Sequence, residues 1–273
     1  MKRILLFLAF FTVIPAALLA GTVDTVEIYS AAMHRNIPCV VIKPNDYRNK
    51  KLHFPTVYLL HGYSGNYSDW ITKVPALKQD VDRYQVLIVC PDGGYSSWYI
   101  DSPLDTSFRY ETYVGEEVPA YIDAHYKTIP DRMHRAIAGL SMGGHGAFFL
   151  AIRHKDLFGA VGSMSGGVDI RPFPDNWDLK KRLGDEKTHP ENWEKYTVIN
   201  LVDSLKNDEL KIIFSCGVND FFISVNRALH QKLLALKIDH DYTERPGAHT
   251  WDFWSNAVEY QLLFFSRFFR HPH

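Results

Sequence analysis

Five short runs of apolar and small residues, Thr56 to Leu60, Val86 to Cys90, Ala136 to Leu140, Ala160 to Met164 and Lys211 to Cys216, recur along the chain with longer helical stretches between them. Their apolar residues fall at successive positions rather than alternate ones, so both faces of each run call for burial. That is the condition of strands in a parallel sheet covered by helices on both sides. The rhythm predicts a single α/β domain and excludes a helical bundle or an all-β sandwich. Two earlier strands, around Thr25 to Ala31 and Ile37 to Ile42, have no helix between them and predict an antiparallel hairpin at the start of the sheet. Helices are expected over Tyr110 to Tyr126, where Pro119 should bend or restart the helix, and over Met142 to His154, Ser224 to Leu236 and Asp252 to Phe269. Between about 168 and 205 the rhythm fails around Arg171-Pro172-Phe173-Pro174, and the segment reads as an insertion or lid over a site.

At the N-terminus, Lys2 and Arg3 precede an apolar run from Ile4 to Leu19 that ends in small residues at Ala20 and Gly21. This reads as a secretory signal peptide over residues 1–20, with a single domain over 21–273 that is exported to the periplasm or beyond the cell and keeps no stable membrane insertion. Lys and Arg total 30 against 31 Asp and Glu. Losing Lys2 and Arg3 leaves the mature chain mildly acidic, which argues against a nucleic-acid partner and for an uncharged one. Cys39, Cys90 and Cys216 match neither a disulfide framework nor a metal motif and are expected as small buried thiols. No cofactor and no metal is called for.

Gly139-Leu140-Ser141-Met142-Gly143 fits G-x-S-x-G and stands between an apolar strand and a small-residue helix. A sharp strand-to-helix turn would strain the serine backbone and present its hydroxyl outward, while the flanking glycines let neighbouring backbone pass. Ser141 is therefore the candidate nucleophile. Where this elbow occurs, acid and histidine follow in that chain order. His249, on a loop before the final helix, is the candidate base. Asp220, just past the strand that ends near Cys216, is the candidate acid ahead of Asp203, Asp239, Asp241 and Asp252. His61-Gly62-Tyr63 follows another apolar strand and offers the Tyr63 amide as one oxyanion donor, with the Met142 amide as the other. His61 itself precedes the nucleophile and reads as a structural ring tying its loop to nearby backbone.

Together these residues resemble the esterase D-like family of α/β-hydrolases, which includes S-formylglutathione hydrolases, feruloyl and acetylxylan esterases, tributyrin-type esterases and mycolyltransferases. The likeness spans nearly the whole mature chain. It runs through His61-Gly62 with the Tyr63 amide, Pro91-Asp92-Gly93-Gly94, Gly139 to Gly144, Asp220, and Gly247-Ala248-His249-Thr250-Trp251. It implies an α/β-hydrolase fold with a mostly parallel central sheet, helices on both faces and a lid-like insertion. The leader and the loop at His61 to Tyr63 set the chain apart from the cytosolic S-formylglutathione hydrolases and bring it nearer the secreted carbohydrate esterases.

The expected activity is that of a serine carboxylesterase acting on acetyl or feruloyl esters of plant cell-wall polysaccharide. A general short-chain esterase or an acyltransferase would use the same residues, and a glycan-binding protein without catalysis is the remaining alternative. Trp98 and Tyr99, on the loop after Asp92-Gly93-Gly94, and Trp177 in the insertion are candidate substrate contacts, because aromatic faces suit a sugar or hydroxycinnamoyl ring.

Overall fold

Each of the five doubly apolar runs is a strand inside one sheet. The computed structural model describes residues 21–270, so the leader expected over residues 1–20 lies outside the described residues. The strands are β1 (Thr22–Ser30), β2 (Arg35–Lys43), β3 (Thr56–Leu60), β4 (Leu87–Pro91), β5 (Arg135–Leu140), β6 (Ala160–Met164), β7 (Lys211–Gly217) and β8 (Asp241–Arg245). Their spatial order is β1-β2-β4-β3-β5-β6-β7-β8. The hairpin β1–β2 is antiparallel, β2 also meets β4 antiparallel, and every later pairing is parallel. This is the mostly parallel α/β-hydrolase architecture expected from the sequence.

Alternate residues of the central strands feed two separate cores. From β3, Tyr58 and Leu60 face one core and Val57 and Leu59 the other. The first core holds the helix Met142–Arg153 through Phe148 and Phe149, and the helix Ile223–Ala235 through Val225 and Leu229. The second holds the long helix Trp251–Arg270 through Ala257, Val258, Leu262 and Phe265, and the shorter helix Leu77–Tyr84 through Leu77 and Val81. Burying a side chain of this kind stabilises by about 1.5–3 kcal/mol, so a sheet filled on both faces dominates the stability of the chain. All three cysteines are buried and unpaired, as expected. No helix among the described residues is long and apolar enough to cross a membrane.

Two local expectations take a more specific form. The disruption near Pro119 is a π turn over Tyr113–Glu117, which leads directly into the helix Val118–His125. Proline cannot donate to a preceding turn, and the wider turn just ahead of it absorbs that missing donor near the start of a new helical segment. The insertion, for its part, is packed. Its short helices Leu179–Leu183, Pro190–Tyr196 and Val198–Leu201 bury Leu179, Leu183, Trp193 and Val198 in the first core. It is tied to the loop after β4 by Ser102 Oγ, which donates to the Arg182 carbonyl at 2.7 Å, and by Tyr196 Oη, which donates to the Asp101 carbonyl at 3.2 Å.

The helix Met142–Arg153 starts hard against the end of β3. A Cβ at Gly143 would lie 2.5 Å from the His61 carbonyl oxygen and 2.6 Å from that of Leu60. Both obstacles are backbone, so neither can rotate away. Gly143→Ala is expected to destabilise the fold by about 3 kcal/mol, the upper range for forced overpacking. Urea unfolding checks this, and a midpoint equal to that of the parent would show that the helix can retreat from β3.

Candidate active site

The carboxyl ends of β3, β5 and β7 lie on one edge of the sheet, where an open α/β sheet places its ligand site. At the end of β5 the chain turns into its helix through Ser141, whose φ of 54° and ψ of −117° are sparsely populated for an L residue. Such a conformation persists only when its surroundings impose it. Here the Ser141 amide donates to the Met164 carbonyl at 2.9 Å, and the Ser141 carbonyl accepts from His145 at 3.1 Å and from Gly167 at 3.3 Å. The side chain is left projecting from the turn.

The loops after β7 and β8 are joined beyond the strands themselves. The Val218 amide donates to the Arg245 carbonyl and the Asn219 amide to the Gly247 carbonyl, each at 2.9 Å. Gly217 makes this approach possible, since a Cβ there would sit 2.5 Å from the Gly247 oxygen, and Gly247 itself has φ of 144°. The join sets Asp220 beside His249. Nδ1 of His249 lies 2.9 Å from Asp220 Oδ2 and 3.1 Å from Oδ1, and Nε2 lies 2.8 Å from Ser141 Oγ. With a carboxylate at Nδ1 the ring carries its proton there, and Nε2 is free to accept from the serine hydroxyl. Asp220 is buried, and its Oδ1 also accepts from the Phe222 amide at 2.8 Å.

The third loop, after β3, reaches the same point. Gly62 stands so near the turn that a Cβ there would lie 3.4 Å from that of Ser141. Among the described residues the amides of Tyr63 and Met142 donate to no protein acceptor. The loop is held from beneath by His61: Nδ1 is 2.8 Å from the Gly62 carbonyl, and Nε2 accepts from the Gly93 amide at 2.8 Å. Tyr99 Oη adds a bond to the His61 carbonyl at 3.0 Å, and Trp70 Nε1 one to the Leu60 carbonyl at 3.0 Å. His61 is therefore the structural ring expected from its position. His145, one helical turn past Ser141, is likewise occupied, with carbonyls of Trp98 at 3.1 Å and Tyr196 at 2.9 Å.

A cleft of about 280 Å³ opens over Ser141 and His249, walled by Tyr63, Trp177, Phe221 and Trp251. Trp177 thus stands where a substrate contact was expected, whereas Trp98 and Tyr99 do not. Trp98 is 1% exposed and Tyr99 0%. The loop folds inward because its polar tips find buried backbone partners, Trp98 Nε1 on the Trp177 carbonyl and Tyr99 Oη on His61. Sequence reasoning missed Phe221, which is 49% exposed and whose ring centroid lies 4.1 Å from that of His249. Its one signal was a bulky apolar residue directly after the candidate acid.

Residues 30–265 match the family model described as putative esterase. An acetyl esterase of Caldicellulosiruptor saccharolyticus is 28% identical over 261 residues, covering 85% of this chain and 94% of that protein. An S-formylglutathione hydrolase of Bos taurus is 26% identical, over 66% of this chain and 70% of that one. Among solved structures, a ferulic acid esterase superposes with a TM-score of 0.78 at 29% identity, over 92% of this chain and all of the other.

Burial lowers the pKa of the His61 ring, and it pulls that of His145 from 6.5 down to about 4. The unfolded chain therefore binds protons that the fold refuses as pH falls below 6.5. Stability that is complete above pH 6.5 should be lost progressively down to pH 4, by about 3 kcal/mol for His145 alone. Urea midpoints measured from pH 7 to pH 4.5 test this, and a level midpoint would show that both rings titrate freely within the fold.

Proposed function

The chain belongs to the putative esterase family and is a carboxylic ester hydrolase of the α/β-hydrolase type, and from that premise we propose that Ser141, His249 and Asp220 form its catalytic triad. The observation that carries the proposal is the continuous line from the buried Asp220 carboxylate through His249 to Ser141 Oγ, near two amides that donate to no protein acceptor among the described residues. In this reading, Oγ attacks the ester carbonyl carbon as Nε2 of His249 takes the hydroxyl proton. The carbonyl oxygen becomes an oxyanion held by the amides of Tyr63 and Met142, each worth about 2.7–4 kcal/mol if such donors behave here as elsewhere. The bond to the alcohol then breaks, and the histidine returns its proton to the departing oxygen. Water repeats the sequence on the acyl-serine and frees the acid. Asp220 keeps the proton on Nδ1 and stabilises the imidazolium that forms at each step.

The favoured substrates are acetyl or feruloyl esters of plant cell-wall polysaccharide. Support comes from the aromatic walls of the cleft and from the acetyl esterase and ferulic acid esterase among the similar proteins. A general short-chain esterase is the second reading, favoured by a cleft that is small for a ligand site. The apolar leader from Ile4 to Leu19 supports export.

Ser141→Ala should lower kcat by at least about 10³-fold while leaving the urea midpoint unchanged. Asp220→Asn should lower it by about 10⁴-fold, since an amide can accept or donate at Nδ1 and no longer selects the tautomer. Normal turnover by either folded variant overturns the triad. Chromatography of acids released from acetylated, feruloylated arabinoxylan and from a short-chain triglyceride separates the substrate readings, and release from the triglyceride alone removes the polysaccharide.

A further inference from the structure

Among the described residues, two pairs of consecutive non-glycine residues hold left-handed backbone, one on the loop after β4 and one in the insertion. Trp98 and Tyr99 have φ of 53° and 59°, and Trp177 and Asp178 have 49° and 59°. Single residues visit this region at a penalty, and two in succession need surroundings that leave no alternative. The pairs meet through one hydrogen bond, Trp98 Nε1 to the Trp177 carbonyl at 3.1 Å, with the indole centroids 6.2 Å apart. That N–H is the only polar group on the Trp98 side chain.

Trp98 itself cannot shift. Its ring stands edge-on to His145 at 5.3 Å, its carbonyl faces His145 Nδ1, and a Cβ at Gly167 would meet the far edge of the indole at 2.8 Å. Trp177, by contrast, rests on other aromatics. It stacks on Phe221 at 5.5 Å with an interplanar angle of 21°, and Phe221 in turn lies against His249. The half-exposed Phe221 and the edge of Trp177 thus form a plated wall one side chain away from the proposed base.

We propose that Trp98 is a positioning residue for substrate selection: it fixes the carbonyl of Trp177, so that Trp177 and Phe221 present a preformed plate to the ring of an ester substrate. The plate discriminates ring-bearing esters from small aliphatic ones. This rests on the serine-esterase reading of Ser141 and His249.

Trp98→Phe keeps a buried aromatic ring while removing the N–H together with part of the indole that packs beside Gly167. Kinetics on methyl ferulate, with its ring on the acid, phenyl acetate, with its ring on the alcohol, and ethyl acetate, with none, test the proposal. For at least one ring-bearing ester kcat/KM should fall about tenfold, through KM, the consequence of losing one hydrogen bond. Ethyl acetate should change by less than about twofold, because the triad and oxyanion amides are untouched. An equal fall on all three esters marks a merely structural role and overturns the proposal, as does no fall on any. Should Trp98→Phe fail to fold, Trp177→Ala decides: it must lower the same ring-bearing ester selectively, and an unchanged preference overturns the plate. Parent enzyme that turns over none of the three esters defeats the esterase reading itself, an outcome distinct from loss of selectivity alone.

Discussion

The contact on which the rest of the site depends is backbone against backbone: Gly143 at the head of its helix pressed against the Leu60 and His61 carbonyls at the end of β3. Parallel pairing already puts Leu60 opposite Gly139. The glycine then lets the helix start so close to β3 that a Cβ at Gly62 would lie 3.4 Å from that of Ser141. A side chain at that position would separate Ser141 from the loop of Gly62 and Tyr63, whatever the chemistry of either. The strained Ser141 backbone follows from the same constraint, because the chain must reverse within one residue to pass from a strand to a helix seated so tightly against its neighbour.

The other half of the site uses a different device. Asp220 and His249 sit on loops 29 residues apart in sequence, yet their relative position is set by the β7–β8 pairing continuing past the strand ends through Val218 and Asn219. Asp220 and His249 are therefore carried on a rigid extension of the sheet. Catalytic hydrogen bonds need tight tolerances, and groups carried on sheet-anchored backbone meet them better than groups on free loops.

Fold and site differ in how much of each the sequence displayed. The strands of the parallel region were legible because burial on both faces leaves its mark on every position of a run, as in Val57-Tyr58-Leu59-Leu60. Ser141, Asp220 and His249 were legible as candidates because chain order and the strand-to-helix context restrict each choice. Trp98 and Tyr99 were misplaced for a physical reason. An aromatic side chain with a polar tip can point either way on a loop, and the direction is decided by carbonyls of residues far away in the chain, Trp177 for one and His61 for the other. Phe221 escaped notice for the converse reason: its place directly after Asp220 was its one sequence signal, and the stacking of Trp177 and His249 around it shows its role in the wall.

Three histidines lie within this one sheet edge, and their different fates follow from what each ring touches. The ring nitrogens of His61 and His145 face only backbone groups, and burial lowers the pKa of both rings. Such rings hold loops in place, His61 under the oxyanion loop and His145 between the Trp98 loop and the insertion. His249 meets a carboxylate on one nitrogen and a hydroxyl on the other, and it keeps some access to the cleft. In the proposed triad the Asp220 carboxylate lies against that ring and would compensate a charge on it. In the proposed triad it is thus Asp220 that would suit His249 to proton transfer, while the two buried histidines hold the surrounding loops in place.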